Sequence, residues 1–207
     1  MELLLVHGMG RTALSLGRLA RDLRRAGHRA QVLGYVAALE PFQQIVARIH
    51  SRLAGLAQRR QPYAVLGHSL GGLLVRSALA LEPVQPLPVH LIMLGTPNRS
   101  PRLARRYGRT WLYRWFNGEC GQVLGRPSFF DQLPPPPVPY TIIAGTGGRH
   151  GRLGSFGVEA NDGVIAVSET LVSDMDAPVE IPVRHTFMMN DRRVREVIRR
   201  VLAGTAT

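Results

Sequence analysis

The stretch LLLVHG at residues 3–8 carries no polar side chain before His7. A strand with one wet face alternates apolar and polar residues, so a short continuous apolar run reads as a strand buried on both faces. Further strands are read at HRAQVLGY (28–35), YAVLGHS (63–69), PVHLIMLGTP (88–97) and VPYTIIAGT (138–146), with a weaker one at PVEIPVRH (178–185). Between them the apolar spacing turns helical. Leu16, Leu19, Leu23 and Ala26 precede Gly27, and Phe42, Ile45, Val46, Ile49, Leu53 and Leu56 follow Pro41, which suits a first helical turn. LGGLLVRSALALE (70–82) is apolar nearly all round, as a helix buried on a sheet must be, with Pro83 and Pro86 ending it. Val194, Val197, Ile198, Val201 and Leu202 close the series as an amphipathic helix. Strands alternating with helices at this spacing specify a parallel, doubly wound sheet covered on both faces. A chain of 207 residues, 45% of them hydrophobic and without repeat or linker, is expected to form one α/β domain.

The net charge of +12 does not by itself indicate a nucleic-acid partner. All 26 basic residues are arginine, and a surface selected for phosphates draws on lysine as well. The bias is better explained by GC-rich codons. The lone Cys120 excludes an intrachain disulfide. MELLLVHGMG has no basic residue ahead of its short apolar run and does not read as a secretory leader, and no apolar segment has the length of a membrane span. A cytoplasmic protein is expected.

The stretch VLGHSLGG at 65–72 places Ser69 between Gly67 and Gly71, where a strand gives way to a helix. A turn that sharp forces the central residue into a strained conformation and leaves no room for side chains at the flanking positions. The helix beginning at Leu70 would aim backbone N–H groups and its dipole at negative charge developing on a bound substrate. With its strand–turn–helix context, YAVLGHSLGG resembles the nucleophile elbow of α/β-hydrolases, in particular their lipase- and esterase-like members. LLLVHGMG resembles the oxyanion strand and loop of that family, LGTPNRS (94–100) its Gly-Thr-Pro stretch, and NDGVIAVSET (161–170) its acid-bearing loop. His185 follows the last strand, where such enzymes keep their base.

The resemblance spans residues 3 to about 202 and implies the minimal α/β-hydrolase fold, a six-stranded, mostly parallel sheet with helices on both faces. It implies a Ser69–Asp162–His185 triad in that chain order, with the backbone N–H groups of Met9 and Leu70 as the oxyanion hole. No cofactor is expected, and no close His, Cys or carboxylate spacing of a metal-ligand kind appears. Asp176 is the main alternative acid; Asp174, Glu159 and Glu169 also precede or flank the site. His150, ahead of the acid in sequence, is the rival base. His7 is expected to shape the oxyanion loop, and His68 to point away from the serine. An Asp-Gly pair is also an ordinary turn signal, so Asp162 has a purely conformational reading.

Two segments interrupt the alternation. Residues 146–163 are rich in glycine but lack the Lys-Ser or Lys-Thr pair of a nucleotide loop. Residues 98–137 occupy the place where similar hydrolases carry a cap or lid. Within 102–116, Arg102, Arg105, Arg106 and Arg109 recur at helical steps, opposite Tyr107, Trp111 and Trp115. The segment reads either as an amphipathic cap, with aromatics over an acyl pocket and arginines toward an anionic surface or membrane interface, or as an ordinary covering helix. The proline run at 134–137 reads as a rigid return to the sheet. The expected activity is cleavage of a carboxylic ester with a lipid-like or medium-length acyl chain. Acyl transfer, amide cleavage or a non-catalytic binding module on the same scaffold are the alternatives.

Overall fold

The computed structural model describes residues 1–82, 84–108 and 110–205, and the side chains of all of these except 111–117 and 153. Its six strands are β1 (Glu2–Val6), β2 (Arg29–Leu33), β3 (Tyr63–His68), β4 (His90–Leu94), β5 (Tyr140–Gly145) and β6 (Val179–Ile181). They form one sheet in the order β2-β1-β3-β4-β5-β6, and every neighbouring pair is parallel. The chain runs outward from β1 to β2, then returns past β1 to β3 and continues the other way. In such a sheet the crevice outside the carboxyl ends of β1 and β3 is the natural place for a ligand.

The layers follow from the apolar runs. Side chains alternate across a strand, so Leu4 and Val6 enter one core while Leu3 and Leu5 enter the other. The first core lies under α2 (Phe42–Ala57) and α3 (Leu70–Leu79); the second lies under α1 (Gly17–Arg25) and the C-terminal helix, α7. That last helix spans Arg192–Gly204 and buries Val194, Ile198 and Leu202. Each fully buried leucine contributes about 1.5–3 kcal/mol, and the one polar residue of β1, Glu2 at its start, is buried and paired with Arg29 and Arg59.

The structure departs from the sequence reading in four places. Pro41 is the N-cap of α2 and lies just outside its first turn. Helix α3 stops at Leu79, short of residue 82, and Pro83 lies outside the described residues. Strand β6 has three residues: it is an edge strand, and Pro182 lacks the N–H needed to extend its ladder. The arginine-and-aromatic stretch 102–116 is two helices, α4 (Arg102–Tyr107) and α5 (Trp111–Leu124), so its two stripes do not share one helical axis. A third short helix, α6 (Pro127–Gln132), completes the insertion. Among the described residues, no helix is long and apolar enough to cross a membrane.

The tightest joint is between α3 and β1. All ten residues of α3 are buried, and a Cβ on Gly71 would lie 2.3 Å from the Val6 carbonyl oxygen. Backbone atoms cannot yield as a side chain can. Gly71→Ala is therefore expected to lower the unfolding free energy by about 2 kcal/mol or more, whereas Gly55→Ala, on the open face of α2 with nothing within 4 Å of the added methyl, raises it by about 0.5–1 kcal/mol. Denaturant melts of the two variants check both signs.

Candidate active site

Strand β3 ends at His68 and α3 begins at Leu70, which leaves Ser69 alone to reverse the chain. It does so at φ 53°, ψ −127°, and Arg60 is the only other described non-glycine residue with positive φ. Such a conformation costs about 1–3 kcal/mol and persists only where the surroundings impose it. Here they do: the Ser69 N–H donates to the Leu94 carbonyl at 2.8 Å, and α3 folds back so closely that a Cβ on Gly67 would lie 2.3 Å from Gly72 Cα. The two glycines of the motif thus answer different neighbours, Gly67 the start of α3 and Gly71 strand β1. Ser69 is half-buried, with its hydroxyl at the carboxyl edge of the sheet.

Two loops bring partners to it. His185 opens the turn after β6, and its Nε2 lies 2.9 Å from Ser69 Oγ. Its Nδ1 lies 2.6 Å from Asp162 Oδ2. An ionised carboxylate only accepts, so the imidazole proton is on Nδ1, and Nε2 presents a lone pair to the serine hydroxyl. Asp162 follows β5 and is almost fully buried. Its Oδ1 accepts the N–H groups of Val164 and Ile165 at 2.9 and 2.7 Å, and its carbonyl accepts the His185 N–H at 3.0 Å. Gly163 takes φ 96°, so the Asp-Gly pair is a turn and also presents a carboxylate. Asn161 pins the same loop by donating to the Glu159 and Arg149 carbonyls and accepting the Gly163 N–H.

His68 does not stand idle. Its ring lies 4.9 Å from the His185 ring, and its Nε2–H donates to the His185 carbonyl at 3.1 Å. Burial, and then the neighbouring His185, hold its pKa well below the ordinary histidine value, so it is a neutral support. His7 is buried, with its Nδ1–H bonded to the Gly8 carbonyl, its Nε2 accepting the Tyr35 N–H and its ring stacked on Tyr35 at 4.2 Å. The Tyr35 hydroxyl donates to the His7 carbonyl at 2.6 Å. This pair fixes the β1 loop against the elbow, where a Cβ on Gly8 would lie 3.0 Å from Ser69 Cβ. Met9 follows on that loop, and Leu70 is the first residue of α3, whose N–H groups lack intrahelical acceptors.

The rival residues are otherwise engaged. Asp176 accepts the Tyr140 hydroxyl and the Val172 and Ser173 N–H groups. Asp174 pairs with Arg99, while Glu159 and Glu169 both pair with Arg102. His150 is exposed ahead of a short turn in the glycine-rich loop. Arg102, read as part of a solvent-facing stripe, instead ties the insertion to the acid loop and lies 5.0 Å over the Phe156 ring. Arg109 and the side chains of Trp111 and Trp115 lie outside the described residues. The buried Arg76 holds both ends of the insertion by donating to the carbonyls of Asn98, Leu133 and Pro134; burial brings its pKa down to about 10. The His7–Tyr35 lock, the His68 support and the Arg76 clamp join residues 22 to 117 positions apart, and no local pattern announces them. Among the described residues, no group of three or more His, Cys, Asp or Glu stands where it could hold a metal ion.

A family model described as the alpha/beta hydrolase family matches residues 3–207. No curated protein matches the chain by sequence. Among solved structures, the mature form of lipase BlEst2 from Bacillus licheniformis superposes with a TM-score of 0.77 at 19% identity, covering 97% of this chain and 91% of that one. The metagenomic carboxyl esterase MGS0156 gives 0.69 at 16% identity, covering 89% of this chain and 64% of that one. Phospholipase PlaB from Legionella pneumophila gives 0.67 at 21% identity, covering 83% and 46%. At these identities the likeness is one of fold.

The bonding of Asp176 gives a pH-dependent test of its role. Burial pushes its carboxyl up, but the Ser173 N–H, the Tyr140 hydroxyl and the Val172 N–H outweigh this, and the pKa is below the ordinary aspartate value. A lowered carboxylate pKa stabilises the fold above the unfolded-state value, about 3.9, and this contribution is lost as pH falls through the folded value. Asp176→Asn is expected to be less stable than the wild type at neutral pH, with the gap closing below about pH 4. A gap that persists in acid would assign the loss to packing.

Proposed function

The chain belongs to the alpha/beta hydrolase family, and from that premise we propose that it cleaves carboxylic esters through an acyl-enzyme formed on Ser69. The observation that carries the reading is the continuous relay from Ser69 Oγ through His185 to the buried Asp162, at 2.9 and 2.6 Å, on a strained serine at the sheet's switch point. In this reading Ser69 Oγ attacks the ester carbon as its proton passes to His185 Nε2. Asp162 holds the imidazole in the tautomer that leaves Nε2 free and stabilises the cation formed. The negative charge on the carbonyl oxygen is met by the backbone N–H groups of Met9 and Leu70. His185 returns its proton to the departing alkoxide. Water then repeats the sequence against the acyl-serine and releases the carboxylic acid.

Residues 98–137 are assigned as the cover over the acyl side. Supporting this, the insertion joins β4 to β5 and is clamped at both ends by Arg76. Its α5 also breaks at Gly118 (φ 55°), where a Cβ would lie 2.6 Å from the Ala38 carbonyl, so it meets the loop that follows β2. A lipid-like or medium-length acyl chain is the substrate class proposed for that space.

Labelling by a fluorophosphonate tests the chemistry. The wild type is expected to label on Ser69, and Ser69→Ala to abolish both labelling and hydrolysis. His185→Ala is expected to lower kcat by about 10⁴-fold or more, and Asp162→Asn by about 10³–10⁴-fold. Labelling that survives in folded Ser69→Ala would refute the assignment.

A further inference from the structure

We propose that the alcohol half of the substrate carries a phosphate, bound by Arg149 and Arg184 in the cavity beside His185. This rests on Ser69 being the nucleophile. The acyl group stays on the serine, while the ester oxygen takes its proton from His185 Nε2, so the alcohol leaves on the imidazole side. Beside His185, between the Asp162 loop and the turn at 184–187, lies a cavity of about 370 Å³ bordered by His185, Arg149, Arg184, Val164 and Phe187, which an alcohol extending past the imidazole would enter. Its volume suits a small polar head group.

The charge inside it is one-sided. Among the described lining residues the only carboxylate is Asp162, which is buried and committed to His185 and to two backbone N–H groups. Arg99, Arg102 at the start of α4 and Arg193 in the first turn of α7 each have a carboxylate partner. Arg149 and Arg184 form no ion pair among the described residues, and both are exposed to the cavity and solvent. Two unpaired guanidinium groups at one concave surface match the roughly −2 charge and bidentate geometry of a phosphate monoester. Val164 and Phe187, 40% and 58% exposed, supply an apolar edge for the carbons between phosphate and ester. In the reaction the bond between the acyl carbon and the alcohol oxygen breaks and the bond to Ser69 Oγ forms. The proton from His185 completes a phosphorylated alcohol, and water later releases the acid.

The test uses two esters of one medium-chain acid, one with glycerol and one with glycerol 3-phosphate. The wild type is expected to prefer the phosphorylated ester by about 10-fold or more in kcat/KM, chiefly through KM, from charge-assisted hydrogen bonds. In Arg149→Gln/Arg184→Gln the ratio of the two should fall to about one; equal rates in the wild type, or a ratio that survives in the double variant, would overturn the proposal. A second arm titrates glycerol 3-phosphate into Ser69→Ala by calorimetry, with and without the two arginine substitutions. Binding lost with the arginines supports the site, and binding absent or indifferent to them overturns it, whatever the esters show. If neither ester turns over and Ser69 does not label, the hydrolase reading fails on its own while this arm still decides the anion site. Comparing a dispersed short-chain phosphorylated ester with a long-chain one in vesicles separates a soluble phosphate ester from a lipid head group.

Discussion

Helix α3 lies on β1 with no space between their backbones. Glycine at 71 lets the helix descend onto Val6, and glycine at 67 lets its first turn fold over the end of β3. Once both contacts are made, one residue must turn the chain, and Ser69 is held at positive φ. The strain at the serine is therefore a consequence of how the central helix seats on the central strands. The same seating puts the first N–H groups of α3, the β1 loop and the serine hydroxyl at one crevice.

The remaining site residues arrive on loops, and each loop is fastened by something other than the site itself. Asn161 and the Asp-Gly turn set the acid loop, and Arg102 ties that loop to the insertion. His68 supports the His185 backbone from beneath. His7 and Tyr35 fix the loop after β1. The distances in the Ser69–His185–Asp162 relay are short because three sets of buried contacts limit where the loops can go. The neutral His68 is well suited to its place: a cation there would oppose the charge that the proposed mechanism puts on His185.

The layers and the order of elements could be read from the chain because they are written in local pattern. Continuous apolar runs such as LLLV specify strands filled on both sides, and the spacing of Phe42, Ile45, Ile49 and Leu53 specifies a helix. Ser69, Asp162 and His185 were legible through motif and position, and the structure places them within bonding distance. What could not be read depends on contacts between distant residues. The break between α4 and α5 interrupts a spacing that still looks helical from 102 to 116. Arg102 looked like a surface arginine until the fold set Glu159 and Glu169 beside it. The two carboxylate rivals nearest the base in sequence are removed by partners on other elements, Tyr140 for Asp176 and Arg99 for Asp174.

The proposed ester chemistry rests on Ser69 becoming transiently acylated. The most direct measurement is to mix the protein with a slowly deacylating aryl ester, quench in acid within the first turnover, and map the mass increase by peptide sequencing. The account predicts one acyl group per active chain on the peptide containing Ser69, with a matching burst of released phenol. A protein that turns the ester over with no acyl adduct, or with the adduct on another residue, would contradict it.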